Sequence, residues 1–118
     1  MSFSFENLRV WQKALELSGK ISDLTKTFPS EEKYVLSSQI KRAADSVALN
    51  IAEGSTGQSK KEFSRFLGIA LRSAIEVVSC LYLGKNRNII IQQDFRLLYN
   101  EYNELVKQIQ ALRKSMNT

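Results

Sequence analysis

The 118-residue chain carries 17 basic and 12 acidic side chains, a net charge of +5, with 43% apolar and 25% charged residues, a balance that suits one folded domain, residues 1–118, with a modest core. Histidine is absent, which excludes a histidine general base, a Ser-His-Asp or Cys-His dyad, a His-containing zinc site and the Glu-x-x-His di-iron arrangement of helical bundles. Cys80 stands alone, so there is no internal disulfide, and no apolar run approaches the ~20 residues that span a bilayer. The N-terminus, Met1 to Glu6, lacks a basic segment followed by an apolar run. A cytoplasmic protein with no membrane partner is expected.

The first helical pattern covers about residues 5–26. Val10, Trp11, Ala14, Leu17, Ile21, Leu24 and Phe28 follow one another at steps of one, three and four, and Gly19 weakens the run without breaking it. Phe28-Pro29-Ser30 interrupts the chain, with Ser30 as N-cap and Glu31 and Glu32 suited to the positive end of a second helix over about 30–53. Leu36, Ile40, Ala43, Val47 and Ile51 form its apolar stripe, and Gly54 its C′ residue. Beside that stripe runs a polar line, Gln39, Arg42, Ser46, Asn50 and Glu53, on the flank of the buried face instead of opposite it. Glu53 also lies at the negative end of the helix dipole, where a carboxylate needs a partner.

Ser55 to Gln58 forms a short loop, and Ser59 with Glu62 a capping box for a third helix over about 59–87. Its apolar face is Phe63, Phe66, Leu67, Ala70, Ala74, Val77 and Leu81, with Glu76 along the edge, and Asn88 is expected at the left-handed C′ position. After the turn Ile89 to Ile91, a fourth helix over about 92–115 carries Phe95, Leu98, Tyr102, Leu105, Ile109, Leu112 and Met116 as an a/d seam. Four such helices with short loops predict an all-α, antiparallel up-down-up-down four-helix bundle.

The polar set Arg42, Ser46, Asn50, Glu53, Ser73 and Glu76 is expected to form a buried structural network in which Arg42 meets a carboxylate. No nucleophile–base pair or cofactor signal accompanies it, so a catalytic pocket there is not favoured. Residues 54–96 hold Lys60, Lys61, Arg65, Arg72, Lys85, Arg87 and Arg96 against Glu62, Glu76 and Asp94, a surplus of four positive charges. Residues 29–53 hold three bases and four acids. Ser59, Lys60, Lys61, Arg65, Arg72, Lys85 and Arg87 are therefore the candidate nucleic-acid-binding residues, set against the alternative of an ordinary solvated helix face. Free backbone N–H groups at the start of the third helix suit a phosphate, whereas the G-x-x-G of Gly54 and Gly57 is a weak signal. Tyr82 and Tyr99 offer stacking surfaces, but no aromatic is interleaved with the bases in sequence. Leu97, Tyr99 and Val106 lie off the main seam of helix four and point to an oligomer.

The segment Gln39 to Gly54, above all Ser46 and Asn50-Ile51-Ala52-Glu53-Gly54, the block Phe63 to Glu76 and the opening Phe5 to Trp11 together resemble the proteins encoded within bacterial 23S rRNA intervening sequences. Accessory proteins of diversity-generating retroelements are relatives of that family. The resemblance implies an up-down bundle, a ring-shaped homopentamer and a role in binding nucleic acid, with no enzymatic activity. Arg72, Val78, Gly84 and Asn88 depart from the family pattern, in surface detail and not in fold. The expected function is a non-catalytic oligomeric scaffold that binds RNA or DNA through a basic surface, with no cofactor, metal or small-molecule substrate. The alternative is a protein-interaction module that docks an acidic partner.

Overall fold

The three-and-four spacing of apolar residues resolves into four helices. A computed structural model describes residues 3–57 and 59–117; Met1, Ser2, Gln58 and Thr118, with the readings that fell on them, lie outside the described residues. Among those, α1 runs over Arg9–Thr25, α2 over Leu36–Gly54, α3 over Lys60–Asn86 and α4 over Gln92–Ser115, with 3₁₀ turns at Ser4–Asn7 and Ser30–Glu32 and no strand. The short connections make neighbours antiparallel, and the bundle measures 44 × 23 × 21 Å, close to the ~40 Å that 27 helical residues span. α2 and α3 pack most extensively, and of the four side-by-side helix pairs α1 and α4 pack least.

One continuous core contains the expected stripes. Val10, Ala14, Leu17 and Ile21 of α1, Leu36, Ile40, Val47 and Ile51 of α2, Leu67, Ala70, Val77 and Leu81 of α3, and Leu98, Tyr102, Leu105 and Ile109 of α4 are all buried. The α2–α3 seam is built from small residues, with Ala43, Ser46 and Gly54 on one side and Ser73, Cys80 and Gly84 on the other. Across it the Ser73 and Ser46 hydroxyls meet directly at 2.9 Å. α3 is long and apolar enough to cross a membrane by length and composition alone, although Arg72 and Glu76 interrupt its apolar stretch and no unbroken run stands out in the sequence. The core helix of a soluble bundle satisfies the same criterion, and the apolar stripe of α3 is buried against its neighbours.

Three helix ends differ from expectation. α1 starts at Arg9 and not Phe5, because Phe3 to Asn7 close a 3₁₀ turn in which Glu6 Oε1 accepts from the Phe3 N–H at 2.8 Å. That turn stacks Phe5 on Trp11 edge-on at 4.7 Å, and the Ser4 hydroxyl donates to the Ser55 carbonyl at 2.9 Å, tying the start of the chain to the α2–α3 loop. α2 starts at Leu36 and not Ser30; Ser30–Glu32 is a separate 3₁₀ turn, and Glu32 Oε1 accepts from the Leu36 N–H at 3.4 Å. Gly54 is the last residue of α2 and not a left-handed C′ residue, a conformation held instead by Gly57 at φ 89°. Gly54 is small for another reason, since a Cβ there would lie 2.7 Å from the Cβ of Phe66 and 3.0 Å from the Phe63 ring.

Two ends follow the sequence. Ser59 Oγ accepts from the Glu62 N–H at 3.0 Å, although the Glu62 carboxylate turns to Arg65 and leaves the capping box half formed. Asn88 adopts φ 60° after α3, with the Ile89 N–H donating to Gly84 O at 2.8 Å and the Asn88 N–H to Lys85 O at 3.0 Å. Those two bonds make a Schellman motif.

Candidate nucleic-acid interface

The narrow α2–α3 seam decides the fate of the polar set. Ser46 Oγ accepts from Ser73 Oγ at 2.9 Å and from Asn50 Nδ2 at 3.0 Å, and Asn50 Nδ2 also reaches Ser46 O at 2.9 Å. These three residues form a satisfied internal network. Arg42, Glu53 and Glu76 do not join it, for all three are exposed. Glu76 Oε2 accepts only a 3.5 Å bond from Gln39 Nε2, and among the described residues neither Arg42 nor Glu53 has an ion-pair partner. The expected buried pair of Arg42 with a carboxylate is thus corrected. A seam closed by serine-sized groups leaves no interior room for a guanidinium, and the charges stay hydrated outside it.

The predicted basic residues do not form one cluster, since α3 distributes them along the whole bundle. Lys60 and Lys61 stand in its first turn beyond the Ser59 cap, and Arg72 lies mid-helix. Arg65 is held by Glu62 at 3.0 Å and lies 4.5 Å over the Phe66 ring. Lys85 Nζ sits 4.5 Å above the Phe95 ring, and Arg87 turns away to Glu32 at 3.4 Å.

The fold adds what the linear sequence hid. α4 lies antiparallel beside α3 and presents Arg96, Asn103, Lys107, Gln110 and Lys114 at steps of seven, four, three and four, one stripe of its surface. The matching stripe of α3 is Lys60, Ser64, Leu71, Ile75, Val78, Tyr82 and Lys85. Arg113 bridges the two, its Nε donating to Ser64 O at 3.1 Å and its guanidinium lying across Gly68, where a Cβ would come within 2.8 Å. The α3/α4 face therefore holds Lys60, Lys85, Arg96, Lys107, Arg113 and Lys114, all exposed. No acid interrupts it among the described residues. Glu62 and Glu76 fall on the α2 side of α3, while Asp94, Glu101 and Glu104 fall on the α1 side of α4, where Glu101 binds Lys20 at 2.9 Å.

Four of those bases, Arg96, Lys107, Arg113 and Lys114, were absent from the sequence-predicted set. Arg96, Lys107 and Lys114 do share one face of α4, eleven and seven residues apart, but the stronger apolar seam of the same helix masked that stripe. The fold also brings aromatics among bases that are distant in sequence. Tyr82 packs edge-on to Phe95 at 4.9 Å and to Tyr99 at 6.2 Å, and Lys85 lies over the same Phe95 ring. A concavity of about 490 Å³ opens between α1 and α4, lined by Leu24, Leu97 and Leu98 with the Lys20–Glu101 pair beside them. Among the described residues no three of His, Cys, Asp and Glu lie close enough to hold a metal ion. Burial pushes the Cys80 thiol up, with Glu76 adding to it, so that side chain behaves as a core hydrophobe.

An all-α up-and-down bundle with one acid-free basic face is the class these features define. The family described as 23S rRNA-intervening sequence protein matches residues 6–111, and the chain belongs to that family. A solved structure from Bacteroides thetaiotaomicron, described as a protein of unknown function from the S23 ribosomal protein family, superimposes with a TM-score of 0.83 at 32% identity, covering 89% of this chain and 95% of that one. No curated protein matches.

Proposed function

We propose that this protein is a non-catalytic cytoplasmic scaffold that assembles as a homo-oligomer and binds RNA or DNA through its α3/α4 face. The observation that carries the reading is the six exposed bases of that face with no acid among them. A polyanion gains from every one of them, because each phosphate contact releases condensed counterions. The bases lie along a helix pair ~40 Å long and belong to exposed, flexible side chains, with one open concavity of about 340 Å³ between Ser64, Leu71, Arg113 and Lys114, a spread that fits backbone contacts better than base readout. Tyr82 offers a half-exposed ring on which an unpaired base stacks. The family description, which ties these proteins to 23S rRNA intervening sequences, supports RNA as the first ligand to try. Repetition of the face around a ring, for which a pentamer is the expected form, adds avidity to weak single-copy contacts.

Docking of an acidic protein is the second reading, favoured by Ile75 at 54% and Tyr82 at 52% exposure within the same face. Fluorescence anisotropy with labelled oligonucleotides separates the two. Changing Lys60, Lys107 and Lys114 to Glu lowers affinity at least tenfold at low salt, while Lys41→Glu on α2 changes it little. Wild-type protein that binds no oligonucleotide at low salt leaves protein docking ahead.

A further inference from the structure

We propose that the α2/α3 face is the surface on which a second copy of this chain docks, with Leu49 and Glu53 of one copy seated against Tyr34, Val35 and Arg42 of the next. This rests on the oligomeric reading above and names the residues that would build the oligomer. The face carries three large apolar side chains in solvent, Tyr34 at 83%, Val35 at 55% and Leu49 at 67% exposure. It also carries Arg42 and Glu53, charges of opposite sign, both without an ion-pair partner among the described residues. Eleven residues of helix separate those two charges, ~16 Å, so they cannot meet within one copy. Between copies they can.

Charge selects the occupant. The α3/α4 face is basic throughout, and two copies meeting there would repel. The α2/α3 face holds both signs around an apolar centre and complements itself. Its shape adds direction. Tyr34, Val35, Ser38, Gln39, Arg42 and Glu76 line a groove of about 500 Å³ near the start of α2. Leu49 projects from the same helix face two turns beyond Arg42. A projection and a groove at different points of one surface engage head to tail, the kind of contact that builds a ring when its rotation divides a full turn. The contact leaves the α3/α4 face open.

The test is the mass of the full-length protein by light scattering after gel filtration, with helicity followed by circular dichroism. Wild type runs as an oligomer. Leu49→Glu and Arg42→Glu each run at the mass of one chain with unchanged helicity, because both side chains are exposed in the folded chain. The exchange Arg42→Glu with Glu53→Arg in one chain restores the oligomer. Of the off-seam residues of α4 first expected to build an oligomer, Tyr99 and Val106 pack against the core and Leu97 lies at the α1/α4 concavity away from this surface, so Leu97→Glu leaves the mass unchanged. An oligomer that survives both single changes overturns this surface while the oligomeric reading stands. A double exchange that stays monomeric overturns the Arg42–Glu53 pairing. Wild type that remains a single chain at millimolar concentration overturns the oligomeric reading and this surface together.

Discussion

Tyr102 is fully buried on α4, and its hydroxyl meets no hydrogen-bond partner among the described residues. A buried hydroxyl in that state costs about 1–3 kcal/mol of lost solvation. Tyr102→Phe is therefore expected to raise stability by about 1 kcal/mol, read as a higher urea midpoint, and a fall of that size would mean the hydroxyl is bonded. Burial, with Asp45 and Glu101 adding, also pushes the phenol well above its ordinary value of 10. Above pH 10 the unfolded chain loses this proton while the folded chain keeps it, so stability falls as pH rises. The Phe variant lacks that part of the alkaline loss, which paired melting curves at pH 8 and 10.5 would reveal. Glu76 illustrates the opposite error, a group read as buried that is exposed. Its spacing gave its angle on α3, but the width of the seam beside it depends on Ser46 and Ser73 together, which one helix's periodicity does not encode. On the Leu49→Glu background, where assembly would not intervene, Glu76→Ala is expected to change unfolding free energy by less than about 0.5 kcal/mol.

At the scale of the helix, the ends that depend on one residue's backbone preference were readable and those that depend on tertiary approach were not. Asn88 tolerates φ 60° and closes the Schellman motif, so its place after α3 followed from residue type. Gly54 also sits where a helix ends, and residue type alone assigned it the same role. The close approach of Phe63 and Phe66 explains it instead. Gly54→Ala adds helix propensity of up to ~1 kcal/mol but sets a Cβ against the backbone-anchored Cβ of Phe66. The clash is expected to win, with a net loss of about 1–2 kcal/mol by urea denaturation. The starts of α1 and α2 were misplaced for a related reason. Glu6 and Glu32 satisfy backbone N–H groups from within 3₁₀ turns, a local alternative that helical periodicity does not register.

At the scale of the molecule, the four apolar stripes were sufficient to specify the bundle, because each must be buried and short loops leave one simple way to do so. The candidate interface was only half legible. Lys60 and Lys85 were found from the charge surplus of α3, but Arg96, Lys107, Arg113 and Lys114 join them only once α4 is laid beside α3. Linear charge counts average across faces. Folding separates them, placing the acids of α3 toward α2 and those of α4 toward α1, and leaving two surfaces of different character. One is mixed in sign with exposed apolar groups, and the other is basic.

The central claim is that the basic face engages a phosphate backbone. The measurement that tests it most directly is the salt dependence of oligonucleotide binding by the wild-type protein, followed by anisotropy from low to moderate salt. Six phosphate contacts predict a slope of log K against log salt of roughly −4 to −5, at the ~0.7–0.9 per contact typical of single and double strands, with little dependence on base sequence. The Lys60, Lys107 and Lys114 reversal should make that slope shallower by at least about 2. Binding that is indifferent to salt, or a slope that the reversal leaves unchanged, would contradict the account.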